Sequence, residues 1–405
     1  TTGLQTVSHS LGSAPGMIIT KNTTTGATGW GVYHRSIPTS KLFLQSTSAA
    51  IAETIVQNVT STSFDFNLDV AGNNNGDVFV AYLFAHDTAS TGLIQCGSYT
   101  TDAGGAATIN LGWEPQFILH KTSSTANSGW LIVDSMRGLT MGNDAYLEGN
   151  TSAAEASGGL IQPTATGFVN QLWASQTLIY LAIRRGPMAQ PTSGTQVYNA
   201  IARTGTGVGG ATITGVGFPP DLQSIYNRNN IGDVPTFMDR LRGTSQYLSS
   251  AGTTAEGGSS TWTFSMDGAV TTSAVQNDAT GTYINHYFRR APGVFDEVAY
   301  TGAGAATAFN HGLGVLPEFI IWKSRSVIRR WDVWHKDLGI YASDAHRGLL
   351  LNTAEAVRSS GVVATSRLSS TAWTAPAGGE TNTAGVTQIM YLFATLPGIS
   401  KVGSY

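Results

Sequence analysis

Short apolar runs of strand length recur along the chain, separated by polar stretches rich in Gly, Ser, Thr and Asn. Three read almost identically: PGMIITK at 15–21, PQFILHK at 115–121 and PEFIIWK at 317–323. Their β-branched and aromatic content, bounded by turn formers, predicts strands. The runs are nearly continuous rather than alternating, which predicts burial on both faces or at the core of a sandwich. A Pro heads each run, where a missing N–H removes no ladder bond. A second segment, GWGVYHRS (29–36), returns as GWLIVDSMRG (129–138), DVPTFMDRLRG (233–243) and RWDVWHKDLG (330–339). Aromatic strands close the repeats: VFVAYLFA (78–85), LIYLAIRR (178–185), YINHYFRR (283–290) and IMYLFA (389–394). Only the Ala-rich TSAAEAS (151–157) suggests helix, about one turn of it.

The landmarks keep a period. Pro15, Pro115, Pro220 and Pro317 stand 100, 105 and 97 residues apart; Glu155, Glu256 and Glu355 stand 101 and 99 apart. Units of that size can each hold a core of their own, unlike short repeats that must stack. The expected fold class is all-β: four tandem β-sandwich, jelly-roll-like modules spanning 1–92, 93–192, 193–294 and 295–398. The third, with PPDLQSIYNRN and MDRLRGTSQYLSS, reads as a second subtype. Residues 399–405, ISKVGSY, match the opening of the second module, IQCGSY at 94–99, whereas the first module lacks such an opening. The favoured expectation is that modules continue on both sides. The alternative is that the terminal strand fills the vacant place in the first module, within one chain or by donation to a neighbouring subunit.

Composition narrows the function. Only 12% of the 405 residues are charged and the net charge is −3, so the clustered Lys and Arg that a duplex binder needs are lacking and no nucleic-acid partner is expected. The apolar runs are far too short to span a bilayer as helices, and no membrane insertion is expected. Cys96 stands alone, which excludes an internal disulfide and a cysteine-based zinc site.

Candidate chemistry is sparse, and no cofactor is expected. GTGVGG (205–210) fits a dinucleotide-binding glycine pattern, but the strand-like ATITGVGF follows where a helix should, so a hairpin turn is the better reading. Asp69, Asn73, Asn75 and Asp77 offer oxygen ligands to calcium without the spacing of a calcium loop, and Asn-Gly in the same stretch signals a turn. Glu114, Asp134, Glu148 and Glu155 supply carboxylates for glycoside hydrolysis, but the modules scatter such groups, which reads as solvated charge. His34 and His335 share a slot and could contact an anionic sugar; the plainer reading is the exposed end of a strand. Trp30, Trp130, Trp331 and Trp334 fall in the same slot of the repeats, as core anchors do. Trp113, Trp173, Trp262 and Trp373 are less regular and are the better candidates for stacking on a carbohydrate. The pairs Arg184–Arg185 and Arg289–Arg290 read as soluble strand ends.

The frame of PGMIITK, GWGVYHR and VAYLFA resembles repeat modules of tailed-phage virion proteins, described as concanavalin A-like lectin/glucanase or laminin-G-like sandwiches. The likeness runs over 9–35 with 78–85, 111–138 with 178–185, 219–243 with 283–290, and 311–339 with 389–394. Its motifs are core and turn residues, so it speaks to fold more than to function. It implies a structural protein on the virion surface, made in the host cytoplasm: a tail fibre or receptor-binding appendage contacting other virion proteins and a host glycan or receptor. It also implies a homo-oligomer, a trimer if a fibre. A polysaccharide-degrading tailspike and a capsid decoration protein are the alternatives.

Overall fold

The computed structural model describes residues 3–25, 28–67, 76–89, 92–137, 139, 145–158, 161–164, 166–185, 190–209, 211–229, 234–243, 246–258, 262–265, 267–271, 276–338, 340–341, 345–360 and 367–405. Among them the fold is all-β. The paired strands run antiparallel, and the helical elements are two 3₁₀ turns, Gly194–Gln196 and Lys336–Leu338. TSAAEAS is not helical: Ala156–Ser157 pairs with Ala145–Glu148 as a sheet edge. Seven residues are too few to repay helix nucleation.

Consecutive stretches of the chain each build a larger and a smaller sheet. In the first, the larger sheet runs Leu42–Phe43, Gly31–His34, Pro15–Asn22, Phe79–Ala85, and the smaller one joins Leu4–Ser8, Ser63–Asn67 and Val56–Gln57. In the second, Pro115–Thr122 and Thr177–Arg184 are central and Ile94–Thr100 lies at the edge beside Thr177–Arg184. The third repeats this with Leu222–Asn227, Thr282–Phe288 and Tyr198–Thr204, and the last with Phe319–Ser324, Thr387–Phe393 and Phe295–Thr301. Pro15 and Pro115 each begin their strand, with a register shift just after, as a residue without an N–H requires. The glycine-rich 205–209 is not the expected hairpin turn: it leads from strand Tyr198–Thr204, which pairs with Thr282–Phe288, towards strand Thr212–Ile213 in the other sheet, which pairs with Ala269–Thr271.

By compactness the chain forms two units, one of Thr1–Leu139 with Asn143–Pro187 and the other of Met188–Tyr405 with Thr140–Gly142. Each holds two of the sheet pairs, and this explains the unbroken apolar runs. Ile18 faces the smaller sheet of its own stretch, in a core with Phe64 and Phe66. Its neighbours Met17 and Ile19 face the other way, into a core with Leu119, Trp130, Ile179 and Leu181 of the second stretch. The second unit repeats the arrangement: Leu222, Phe237 and Leu248 pack against Ile321, Trp331, Val333 and Tyr391. The expectation that each 100-residue module encloses its whole core is therefore corrected. Each larger sheet has one face on its own small sheet and the other on the larger sheet of its partner.

Hydrogen bonds fix this pairing at equivalent positions. Trp130 Nε1–H donates to the carbonyl of Phe43 at 2.9 Å, and Trp331 Nε1–H to that of Ser249 at 2.9 Å. Phe43 stands opposite Gly31, and Ser249 opposite Thr236, at the same rung of the ladder. Likewise Ala50 N–H donates to Ser123 O and Glu256 N–H to Arg325 O. The recurrent lysines act locally, and Lys323 in addition donates to Thr253 O of the third stretch at 3.1 Å. Lys21 donates to Thr28 O, Lys121 to Ser128 O at 2.7 Å and Lys323 to Arg329 O at 2.8 Å. Each ties the end of its strand to the hairpin that follows. Burial lowers the pKa of Lys121 and of Lys323 to about 8.

Candidate functional site

The tryptophans singled out for stacking do not come together. Trp113, Trp262 and Trp373 are buried, at 3%, 2% and 0% exposure, so none offers a face to a sugar. Trp373 packs against Trp322 and Phe309, and Trp262 lies under the Arg203 guanidinium. Trp173 stands at φ 58° and packs against the second stretch's core, its ring 5.6 Å from that of His120. The irregular spacing that suggested ligand contact reflects different ways of closing each sandwich.

His34 is a buried polar anchor rather than an exposed strand end. Its Nδ1 accepts from Ser36 N–H and its Nε2–H donates to Tyr180 O at 3.0 Å, bridging the two stretches of the first unit. Burial lowers its pKa to about 4 against the pull of that hydrogen bond, and the charge of Arg35 adds to the lowering. His335 is half-exposed, with Nδ1 accepting from Asp337 N–H and its ring against Phe319. Asp69, Asn73 and Asn75 lie outside the described residues. Asp77 accepts from Asn22 and Thr25 side chains and ties down their loop. Among the described residues no cluster of three His, Cys, Asp or Glu could hold a metal ion.

Many carboxylates serve ion pairs that hold the fold. Asp134 pairs with Arg137, which lies 3.9 Å from Glu155, and Glu114 is 3.8 Å from Arg185. Arg290, expected at a soluble strand end, is buried against Asp296 at 2.5 Å. In the second unit Asp239 accepts from Arg242 at 2.5 Å and from the Tyr391 hydroxyl at 2.6 Å, with both charged side chains wholly inaccessible. Burial works against the Arg242 charge, but the Asp239 carboxylate outweighs it and holds the guanidinium above its ordinary pKa. Asp332 differs: burial raises its carboxyl above the ordinary value, Arg358 opposes this, and the charge of Glu380 reinforces it.

A surface feature that could receive a ligand lies away from these residues. An open groove of about 460 Å³ in the second unit runs between the start of strand Tyr198–Thr204 and the segment Ile399–Val402. Ser193 caps the short turn Gly194–Gln196 and Gln196 returns the bond, a capping box that sets one wall. Beside it stands Tyr198, 41% exposed, with its ring stacked on His286 at 6.1 Å and its hydroxyl 2.7 Å from Nδ1. Burial lowers the pKa of His286, which favours the neutral ring that can accept from Tyr198. Phe288 and Phe393, both partly buried, continue the row at 5.9 Å between ring centres, backed by Phe295, which is itself buried at 1% exposure. Ser193, Thr195, Ser400 and Lys401 add hydroxyls and an amine to the rim. An aromatic wall with a polar rim suits the C–H face of a sugar or an apolar side chain. In sequence these aromatics read as strand core; the exposure of Tyr198–Thr204 alternates in the structure, but its residues YNAIART carry no matching polar alternation that could have marked an edge strand.

The chain belongs to a protein family described as a domain of unknown function, DUF7483, whose model matches residues 1–175 and 193–405. The two matched stretches fall one in each compact unit. No curated protein and no solved structure matches it.

Proposed function

We propose that this chain is a structural protein of a tailed-phage particle, a tail fibre or receptor-binding appendage that holds a host-surface glycan or protein. The virion half of the reading rests on the resemblance of the repeated frame. The binding half is carried by one observation, the groove beside Tyr198 with its aromatic wall and hydroxylated rim. The engagement of so many carboxylates in ion pairs that hold the fold favours binding over cleavage. A depolymerase is the second reading, favoured by Asp332, since a carboxyl raised by burial beside another acid is what an acid catalyst requires.

The test has two arms. Antibodies against the chain should decorate tails in electron micrographs; decoration of heads alone, or of neither, rejects the appendage. Host-surface polysaccharide should bind the purified chain without releasing reducing ends, and Tyr198→Ala should weaken binding about tenfold. Equal binding by Tyr198→Ala removes the groove from the reading, and release of sugar lost in Asp332→Asn replaces binding by hydrolysis.

A further inference from the structure

Trp30, Trp130 and Trp331 occupy one slot. Each donates its main-chain N–H to a side-chain amide oxygen, that of Gln45, Asn150 and Asn352 in turn. The ladders set each beside the recurrent lysine, Lys21, Lys121 or Lys323. Two of the three are buried clasps, at 1% and 0% exposure, with the indole N–H spent on the neighbouring sandwich. Trp30 is the exception. It is only half-buried, and its Nε1–H makes no hydrogen bond among the described residues.

The Trp30 ring lies instead beside that of Tyr82, with centres 6.3 Å apart and planes 30° from parallel. Tyr82 is 50% exposed, and its hydroxyl makes no hydrogen bond among the described residues. Lys21 Nζ stands 6.0 Å from the centre of the Trp30 ring. It donates to Thr28 O and pairs with no carboxylate among the described residues, so N–H groups and a whole charge are left over. Gln45 is exposed, and its NH₂ is likewise unspent among the described residues. The slot faces outward in the second unit too. There His286 stands for Tyr82 and Tyr226 for Lys21, their rings 5.7 Å apart and edge to face. His286 is partly exposed although Tyr198–Thr204 flanks its strand, so the exposure of Tyr82 belongs to this face and not to a sheet margin.

We propose that Trp30, Tyr82, Lys21 and Gln45 form a second saccharide site, in the first unit and separate from the groove beside Tyr198, and that it takes a uronic-acid pyranose of an acidic polysaccharide. The C–H face of the sugar lies on the two rings, which are apolar in body and polar at the tip. The Lys21 ammonium takes the carboxylate, a charge-assisted contact that no group of the described chain makes for it. Trp30 Nε1–H, the Tyr82 hydroxyl and the Gln45 amide serve the sugar hydroxyls, which lose water on binding and need partners. An apolar side chain of a protein would cover these polar groups and satisfy none of them. A neutral sugar would leave the lysine unanswered.

Indole N–H signals of ¹⁵N-labelled protein, one for each of the nine tryptophans, test this under titration with trigalacturonate and with maltotriose. The Trp30 signal, identified by its loss in Trp30→Phe, should shift saturably with trigalacturonate, and maltotriose should bind about tenfold more weakly. Tyr82→Ala and Lys21→Gln remove exposed or half-exposed side chains, leave the fold intact, and should each weaken trigalacturonate about tenfold. A Trp30 signal that does not move, equal affinity for maltotriose, or full affinity in Tyr82→Ala overturns the proposal. The titration reads Trp30 alone, so a groove that binds nothing leaves this result intact, and a silent Trp30 leaves the test of the groove standing.

Discussion

Trp130 and Phe43 sit in different sandwiches, 87 positions apart in sequence, yet one donates its indole hydrogen to the other's main-chain oxygen at 2.9 Å. Trp331 and Ser249 do the same in the second unit. A side chain that recurs in register is thus a clasp between neighbours, and what it grips is backbone, so the partner's residue identity is free to vary.

Trp130→Phe keeps most of the apolar area and loses the hydrogen bond, so it should destabilise the first unit by about 1 kcal/mol, and Trp130→Ala by about 3–5 kcal/mol. Chemical denaturation of each variant measures this. Equal, negligible losses from both would show that the shared core does not depend on the indole.

Asp239 and Arg242 form a buried pair whose value lies in both partners being present. Asp239→Asn should cost about 3–5 kcal/mol, because it strands a guanidinium out of reach of water. Replacing the network together, Asp239→Leu with Arg242→Met and Tyr391→Phe, should restore most of that loss. If the triple variant is no more stable than the single one, burial of an unpaired charge is not the cause.

Acid should loosen the first unit. His34 and His120 are held neutral by burial, with pKa values lowered from 6.5 to about 4 and about 3. Between those values and 6.5 the unfolded chain binds the extra protons. Stability is therefore full above 6.5 and falls as pH drops towards 4, by about 3 kcal/mol for His34 alone. Gln retains a donor for Tyr180 O, so thermal melts of His34→Gln should show a shallower slope over this window. An unchanged slope would assign the acid response to other groups.

Gly205 and Gly302 occupy one repeat position, and a Cβ built on either meets the main-chain oxygen of Asp278 or Thr383. Ala at either position should destabilise by about 1–3 kcal/mol, whereas Gly252→Ala, in open space, should stay within about 0.5 kcal/mol. Thermal unfolding of the three variants separates a steric requirement from a general glycine effect.

Much of this fold was legible in the sequence, because strand burial and turn geometry are written locally. PQFILHK announced a strand covered on both sides, and Pro115 its first residue. What covers the second face was not legible, since the partner of Met17 and Ile19 is the neighbouring stretch, about 100 residues away, and apolar patterning carries no address. His34 misleads for the same reason: its Nε2 is satisfied by Tyr180 O, 146 positions on, so a buried histidine looks like an exposed strand end. The groove escaped because Phe288 and Phe393 look alike in sequence whether a strand covers them or leaves them open at a sheet margin.

The core shared between Met17, Ile19, Leu119 and Leu181 has a consequence for how such chains change over generations. A recombination that removes or copies a single sandwich leaves one sheet with an oily face and no lid, and the product is an aggregating protein. A crossover that moves two at once carries both halves of the joint. Viable length variants of this chain should therefore differ by about 200 residues, in even numbers of sandwiches, and an odd survivor should carry polar substitutions at the positions of Ile19 and Leu119.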